Sequence, residues 1–167
     1  MSAVAETIMK PDLKTLEQFL FLEARLIDEQ RWEEWNALFT DEGEYWVPAS
    51  PDQADAINHV SLMYETELLR AVRIKRFSHP NAFSLKPSPR CSHIVNNVML
   101  DEFDAATGVC IVKSRFIMLQ YRREEQDVFG GSYTHTLKVE EQGFKIKKKR
   151  VDLINCDAAL GNILLYF

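Results

Sequence analysis

From Arg90 onward the chain reads as four β-rich runs, at residues 92–103, 109–121, 128–140 and 144–153. Short turn signals separate them: Asp104 to Gly108, Arg123 to Asp127, and Glu140 to Gly143. Connections of that length join neighbouring antiparallel strands, whereas parallel neighbours need long crossovers. Such a meander has to cover one of its faces, and the cover must come from the residues before it.

Those earlier residues are written at helical spacing. Asp12 reads as an N-cap, and Leu13, Leu16, Phe19, Leu20, Glu23, Leu26 and Ile27 share one face with Lys14, Glu17 and Gln18 outside it. After a break at Asp28 to Arg31, Trp32, Trp35, Leu38 and Phe39 define a second, shorter helical face. Gly43 is expected to end the helical region, and Tyr45 to Pro48 to form a short strand. Ala49 to Asn58 predicts a polar loop or short helix, and His59 to Tyr64 a brief strand. A helix follows that turns Leu68, Leu69, Val72 and Phe77 toward the core. Ser78 to Arg90 carries three prolines and no period, which makes it a long loop. The sum is one α+β domain over residues 12–167, a curved sheet wrapped around early helices, with residues 1–11 as a flexible arm.

At 167 residues with 46% hydrophobic and 27% charged side chains, the chain can bury a core without disulfides or a structural metal. Cys91, Cys110 and Cys156 are odd in number and far apart, as in a reduced compartment. No apolar run is long enough to span a bilayer and the first residues lack a signal-peptide pattern, so a cytoplasmic location is expected, away from membranes. A net charge of −5 disfavours nucleic acid as a partner. The one basic cluster, Lys145, Lys147, Lys148, Lys149 and Arg150, alternates with Phe144 and Ile146 and reads as the solvated face of a strand.

Two ligand patterns merit a test. Cys91-Ser92-His93 followed by Cys110 has the spacing of a Rieske [2Fe–2S] set, but Lys113 stands where the second histidine must be, and Cys110 lies in an apolar β-run. His59, His79, His93 and His135 show no short helical ligand spacing, so no metal site is expected in this chain. Asp28, His93 and His135 are a candidate acid–base trio, because the end of the long helix and the inner faces of the strands can converge on one cavity. Against it, Asp28 could cap the next helix while the histidines bond within the sheet. Dinucleotide, phosphate-loop and nucleophile-elbow motifs are missing from the sequence, and Gly130-Gly131 reads as a turn or bulge.

The segments EARLIDEQRWEEWNALFTDEGEYWVP, SLMYETELLRAVRIKRF, the proline-rich loop, SHIVNNV and GFKIKKKRVDLINCDAALGNILLYF occur in an order and spacing that resembles the small (beta) subunit of aromatic-ring-hydroxylating dioxygenases. The resemblance covers about residues 12–167. It implies a cystatin-like α+β roll of the nuclear transport factor two and ketosteroid isomerase type. It further implies a non-catalytic role beside a Rieske-type alpha subunit that carries the [2Fe–2S] cluster and a mononuclear Fe(II). Electrons would come from NAD(P)H through a reductase, and several beta subunits would join a trimer of heterodimers. On this reading the chain holds no cofactor, and its interface candidates are Trp46, Leu164, Leu165, Tyr166 and Phe167, apolar residues that a lone roll is expected to leave bare. The rival reading is a stand-alone dehydratase or isomerase using Asp28, His93 and His135.

Overall fold

The computed structural model describes residues 8–167. Helix α1 (Leu13–Asp28) leads into the short helix α2 (Trp32–Asn36), strands β1 (Phe39–Pro48) and β2 (Ser61–Glu65), and helix α3 (Glu67–Phe77). Strands β3 (Arg90–Asp104), β4 (Val109–Arg122), β5 (Glu125–Glu140) and β6 (Gly143–Leu153) complete a six-stranded sheet in the order β2-β1-β6-β5-β4-β3. The four long strands pair antiparallel in succession, as their turn signals require. A parallel pairing, β1 beside β6, joins the two halves of the chain.

Helix α1 starts where Asp12 caps it, with Oδ1 accepting the Thr15 N–H at 2.9 Å. Its stripe of Leu16, Leu20, Glu23, Ala24, Leu26 and Ile27 is buried in one core with the inner residues of β4 to β6. Each enclosed leucine there contributes about 2 kcal/mol by leaving water. Along β4 the buried side chains alternate through Cys110, Val112, Ser114, Phe116, Met118 and Gln120.

Strand β6 breaks that alternation. Phe144 and Ile146 face inward, yet further along it is Lys149, Val151 and Leu153 that do so. A register shift opposite Thr136 and Leu137, where His135 faces Lys149 and Leu137 faces Ile146, places one extra residue in β6 and reverses its faces. The expected solvated lysine face is therefore corrected at Lys149, which is buried.

Other expectations change as well. Gly43 does not end a helix; it lies inside β1, where an added Cβ would come within 2.8 Å of the Ile146 carbonyl oxygen. Gly130 and Gly131 lie within β5 rather than at a turn. A Cβ on Gly131 would sit 2.0 Å from the Asp152 carbonyl oxygen, so only glycine lets β5 and β6 approach there. Gly131→Ala is expected to lower stability by about 3 kcal/mol through forced separation of the two backbones, read by urea denaturation.

Helix α3 has the expected place, and Phe77 packs on the core against Trp32, but the rest of the expected face does not. Its buried residues are Arg70 and Ile74, whereas Leu68, Leu69 and Val72 are 72%, 49% and 53% exposed. Arg70 reaches inward to the Gly43 carbonyl at 2.5 Å and Asn36 Oδ1 at 3.0 Å, with its guanidinium over the Phe39 ring. A hydrogen-bonded guanidinium can occupy a buried position that periodicity assigns to leucine. The proposed arm lies outside the described residues up to residue 7, while Ile8 is tied to the body by its N–H to the Ala105 carbonyl.

Candidate functional site

Two polar clusters lie between α1 and the sheet, each anchored by a carboxylate of α1. At the end of α1, Asp28 meets the edge strand β3. Its Oδ2 accepts the His93 backbone N–H at 2.9 Å, and its Oδ1 lies 2.6 Å from His93 Nδ1 and 3.4 Å from Cys91 Sγ. The carboxylate thus closes part of an otherwise open sheet edge and fixes the imidazole. Burial, followed by the Asp28 charge and its hydrogen bond, pushes the Cys91 thiol well above the ordinary thiol range, so Cys91 is no ready nucleophile. The His93 side chain is fully enclosed, and Nε2 has no partner among the described residues.

Deeper in, Glu23 accepts from three elements. Its Oε1 takes the Lys149 ammonium at 2.7 Å and the Trp35 indole N–H at 3.2 Å, while Oε2 lies 2.8 Å from His135 Nε2. Lys149 also donates to the Phe167 carbonyl at 2.6 Å and stands 4.3 Å from the Tyr133 ring centre. Burial raises the Glu23 carboxyl, but the charges of Lys149 and His135 with their hydrogen bonds outweigh it and hold the group at about 2. For Lys149 burial outweighs the Glu23 charge and hydrogen bond, leaving the amine below the usual lysine range.

The expected trio of Asp28, His93 and His135 is therefore divided. His93 belongs to Asp28, and His135 belongs to Glu23 and Lys149. Sequence reasoning placed Glu23 on the buried stripe without seeing its partners, and missed Lys149. A signal for Lys149 existed, since the apolar positions of β6 change parity between Ile146 and Val151. Nor does Asp28 cap α2, whose N-cap Arg31 makes no side-chain capping bond.

The Rieske set is not assembled either. Cys91 faces Gln120 across the β3–β4 ladder and Cys110 faces Phe103, so ten residues of β4, about 30 Å of strand, separate the two thiols. Lys113 pairs with Asp101 at 2.7 Å. These residues do not fit an iron–sulfur cluster.

Of the five apolar residues expected at a partner surface, four are buried within this chain. Leu165, Tyr166 and Phe167 are buried inside this chain, and Trp46 is covered as well, with its indole N–H on Ser61 and the Arg150 guanidinium 4.5 Å from its ring centre. Leu164 is half-buried, its N–H held by Gln120. Tyr166 stacks among Trp35, Tyr45 and Trp32 and donates its hydroxyl to Glu65, and Phe167 packs on Phe129 and Phe116. The tail fills the mouth of the roll because it carries the aromatic volume that helices and sheet leave between them.

A curved six-stranded sheet closed over an N-terminal helix, with carboxylates of that helix bonded to the sheet, defines a cystatin-like α+β roll. The ring hydroxylating beta subunit family matches residues 22–158, and the chain belongs to that family. It is 32% identical over 145 residues to the 2-halobenzoate 1,2-dioxygenase small subunit of Burkholderia cepacia, covering 82% of this chain and 85% of that one. Against the benzene 1,2-dioxygenase subunit beta of Pseudomonas putida the identity is 29% over 169 residues, covering 94% and 89%. The crystal structure of the beta subunit of the benzoate 1,2-dioxygenase from Burkholderia mallei superposes with a TM-score of 0.77 at 26% identity, covering 93% of this chain and 99% of that one.

Proposed function

We propose that this chain is the non-catalytic beta subunit of a terminal oxygenase that dihydroxylates an aromatic ring, and that it supports the assembly of an iron-containing alpha subunit. The family match over residues 22–158 carries this reading. The interior supports the non-catalytic part: Tyr166 and Phe167 are buried in the core, and the two histidines are bonded to separate carboxylates. The rival dehydratase or isomerase needs Asp28, His93 and His135 to act together, and against it each histidine is bonded to a different carboxylate.

In this reading the alpha subunit holds the Rieske [2Fe–2S] cluster and the mononuclear Fe(II), reduced from NAD(P)H through a reductase, in a cytoplasmic trimer of heterodimers. No described helix is long and apolar enough to cross a membrane. Co-expression with a Rieske-type alpha subunit is the test. The two chains are expected to co-purify in equal amounts, with ring dihydroxylation by the complex and a Rieske absorption spectrum absent from this chain alone. Failure to co-purify, with turnover of a substrate by this chain alone, would refute the assignment.

A further inference from the structure

Cys91 and His93 are two residues apart on β3 and face the same side of the strand, toward the end of α1. With Asp28 they bring a sulfur, a nitrogen and an oxygen donor within 4.8 Å of one another. Bond lengths of about 2.3 Å to sulfur and 2.0 Å to nitrogen or oxygen place tetrahedral donors about 3.3–3.5 Å apart. The Cys91 Sγ to Asp28 Oδ1 separation of 3.4 Å already meets that requirement. His93 Nδ1 and Asp28 Oδ1, at 2.6 Å, need to open by roughly 0.7 Å, the change expected when a metal replaces a shared proton.

The surroundings suit a ligand set. The His93 backbone N–H holds the second carboxylate oxygen and so orients Asp28 from outside the donor set. The His93 side chain is enclosed, while the Asp28 side chain keeps 24% exposure, which gives a cation a way in. Mixed sulfur, nitrogen and oxygen donors disfavour magnesium and calcium, which take oxygen.

We propose that Asp28, Cys91 and His93 bind one divalent cation of the zinc type, with water in the fourth position, as a clasp between the end of α1 and the edge strand. On binding, the Cys91 S–H proton leaves to solvent, the imidazole proton moves from Nδ1 to Nε2, and metal bonds to Sγ, Nδ1 and Oδ1 replace them without electron transfer. The site is independent of the subunit assignment, since it is read on this chain alone and pairing is read by co-purification.

Titration of the full-length chain with Co²⁺ tests the proposal. Saturation at one equivalent is expected, with visible bands of tetrahedral intensity and a near-ultraviolet thiolate-to-cobalt band, all displaced by Zn²⁺. Cys91→Ser should abolish the thiolate band, and His93→Gln should weaken binding about tenfold or more. Zn²⁺ at a hundred times its Kd should raise Tm by about 5 °C. If Cys91→Ser does not fold, Asp28→Asn, which keeps a hydrogen-bond acceptor for His93, must still lose cobalt affinity. No saturable spectrum, or a thiolate band that survives Cys91→Ser, overturns the proposal and leaves a purely hydrogen-bonded clasp.

Discussion

Glu23→Ala is expected to destabilise the roll by about 3–5 kcal/mol, the cost of leaving a buried ammonium without its counter-charge. The substitution strips an acceptor from Lys149, His135 and the Trp35 indole at once. Lys149, already pushed by burial toward its neutral form, would retain only the Phe167 carbonyl. A fall in Tm of roughly 10 °C should follow, measured by circular dichroism. Replacing both partners, as Glu23→Leu with Lys149→Met, should recover much of the loss, because it removes the desolvated charges instead of orphaning one. If the double replacement is as unstable as the single one, the pair is not the source of the effect.

The same carboxylate sets an acid limit. Its folded pKa of about 2 lies below an unfolded value near 4.3, so its contribution is complete above about pH 4.5 and is lost as pH falls toward 2. Urea denaturation across that window should show a slope in the wild type that is reduced in Glu23→Gln.

Phe167→Ala should have a comparable effect, about 3–5 kcal/mol, because it empties a phenyl-sized space in a closed core. Phe167 is fully buried, its ring 5.2 Å from that of Phe129 and 6.1 Å from that of Phe116, centre to centre. Its backbone N–H is held by the Tyr45 hydroxyl at 3.0 Å, which keeps the chain in place while the side chain is lost. The apolar hole should then accept benzene, raising the variant's Tm without affecting the wild type. Were Phe167 a surface residue awaiting a partner, the isolated variant would lose less than about 0.5 kcal/mol.

Local periodicity carried much of the fold. The β-rich runs after Arg90 are β3 to β6 within three residues at each end, and Asp12 caps α1 as its side chain predicts. The burial of Glu23 on the α1 stripe was visible too, because a charged residue at an apolar helical position demands partners. Membership of the ring hydroxylating beta subunit family was legible from the order of segments along nearly the whole chain.

Who those partners are was decided only in three dimensions. His135 and Lys149 lie 112 and 126 positions from Glu23, a separation that no local pattern spans. A single extra residue in β6 reverses the faces of a strand and carries Lys149 inside, and a bonded Arg70 turns the leucines of α3 outward. The apolar tail is sticky by composition alone; the tertiary structure makes it interior, because the open mouth of the roll supplies an aromatic-lined space of the right volume within the same chain. Sequence by itself determined the elements, their order and the family, since these rest on short-range periodicity and spacing. The tertiary structure determined which charged and aromatic groups meet, since burial and pairing depend on residues brought together from opposite ends of the chain.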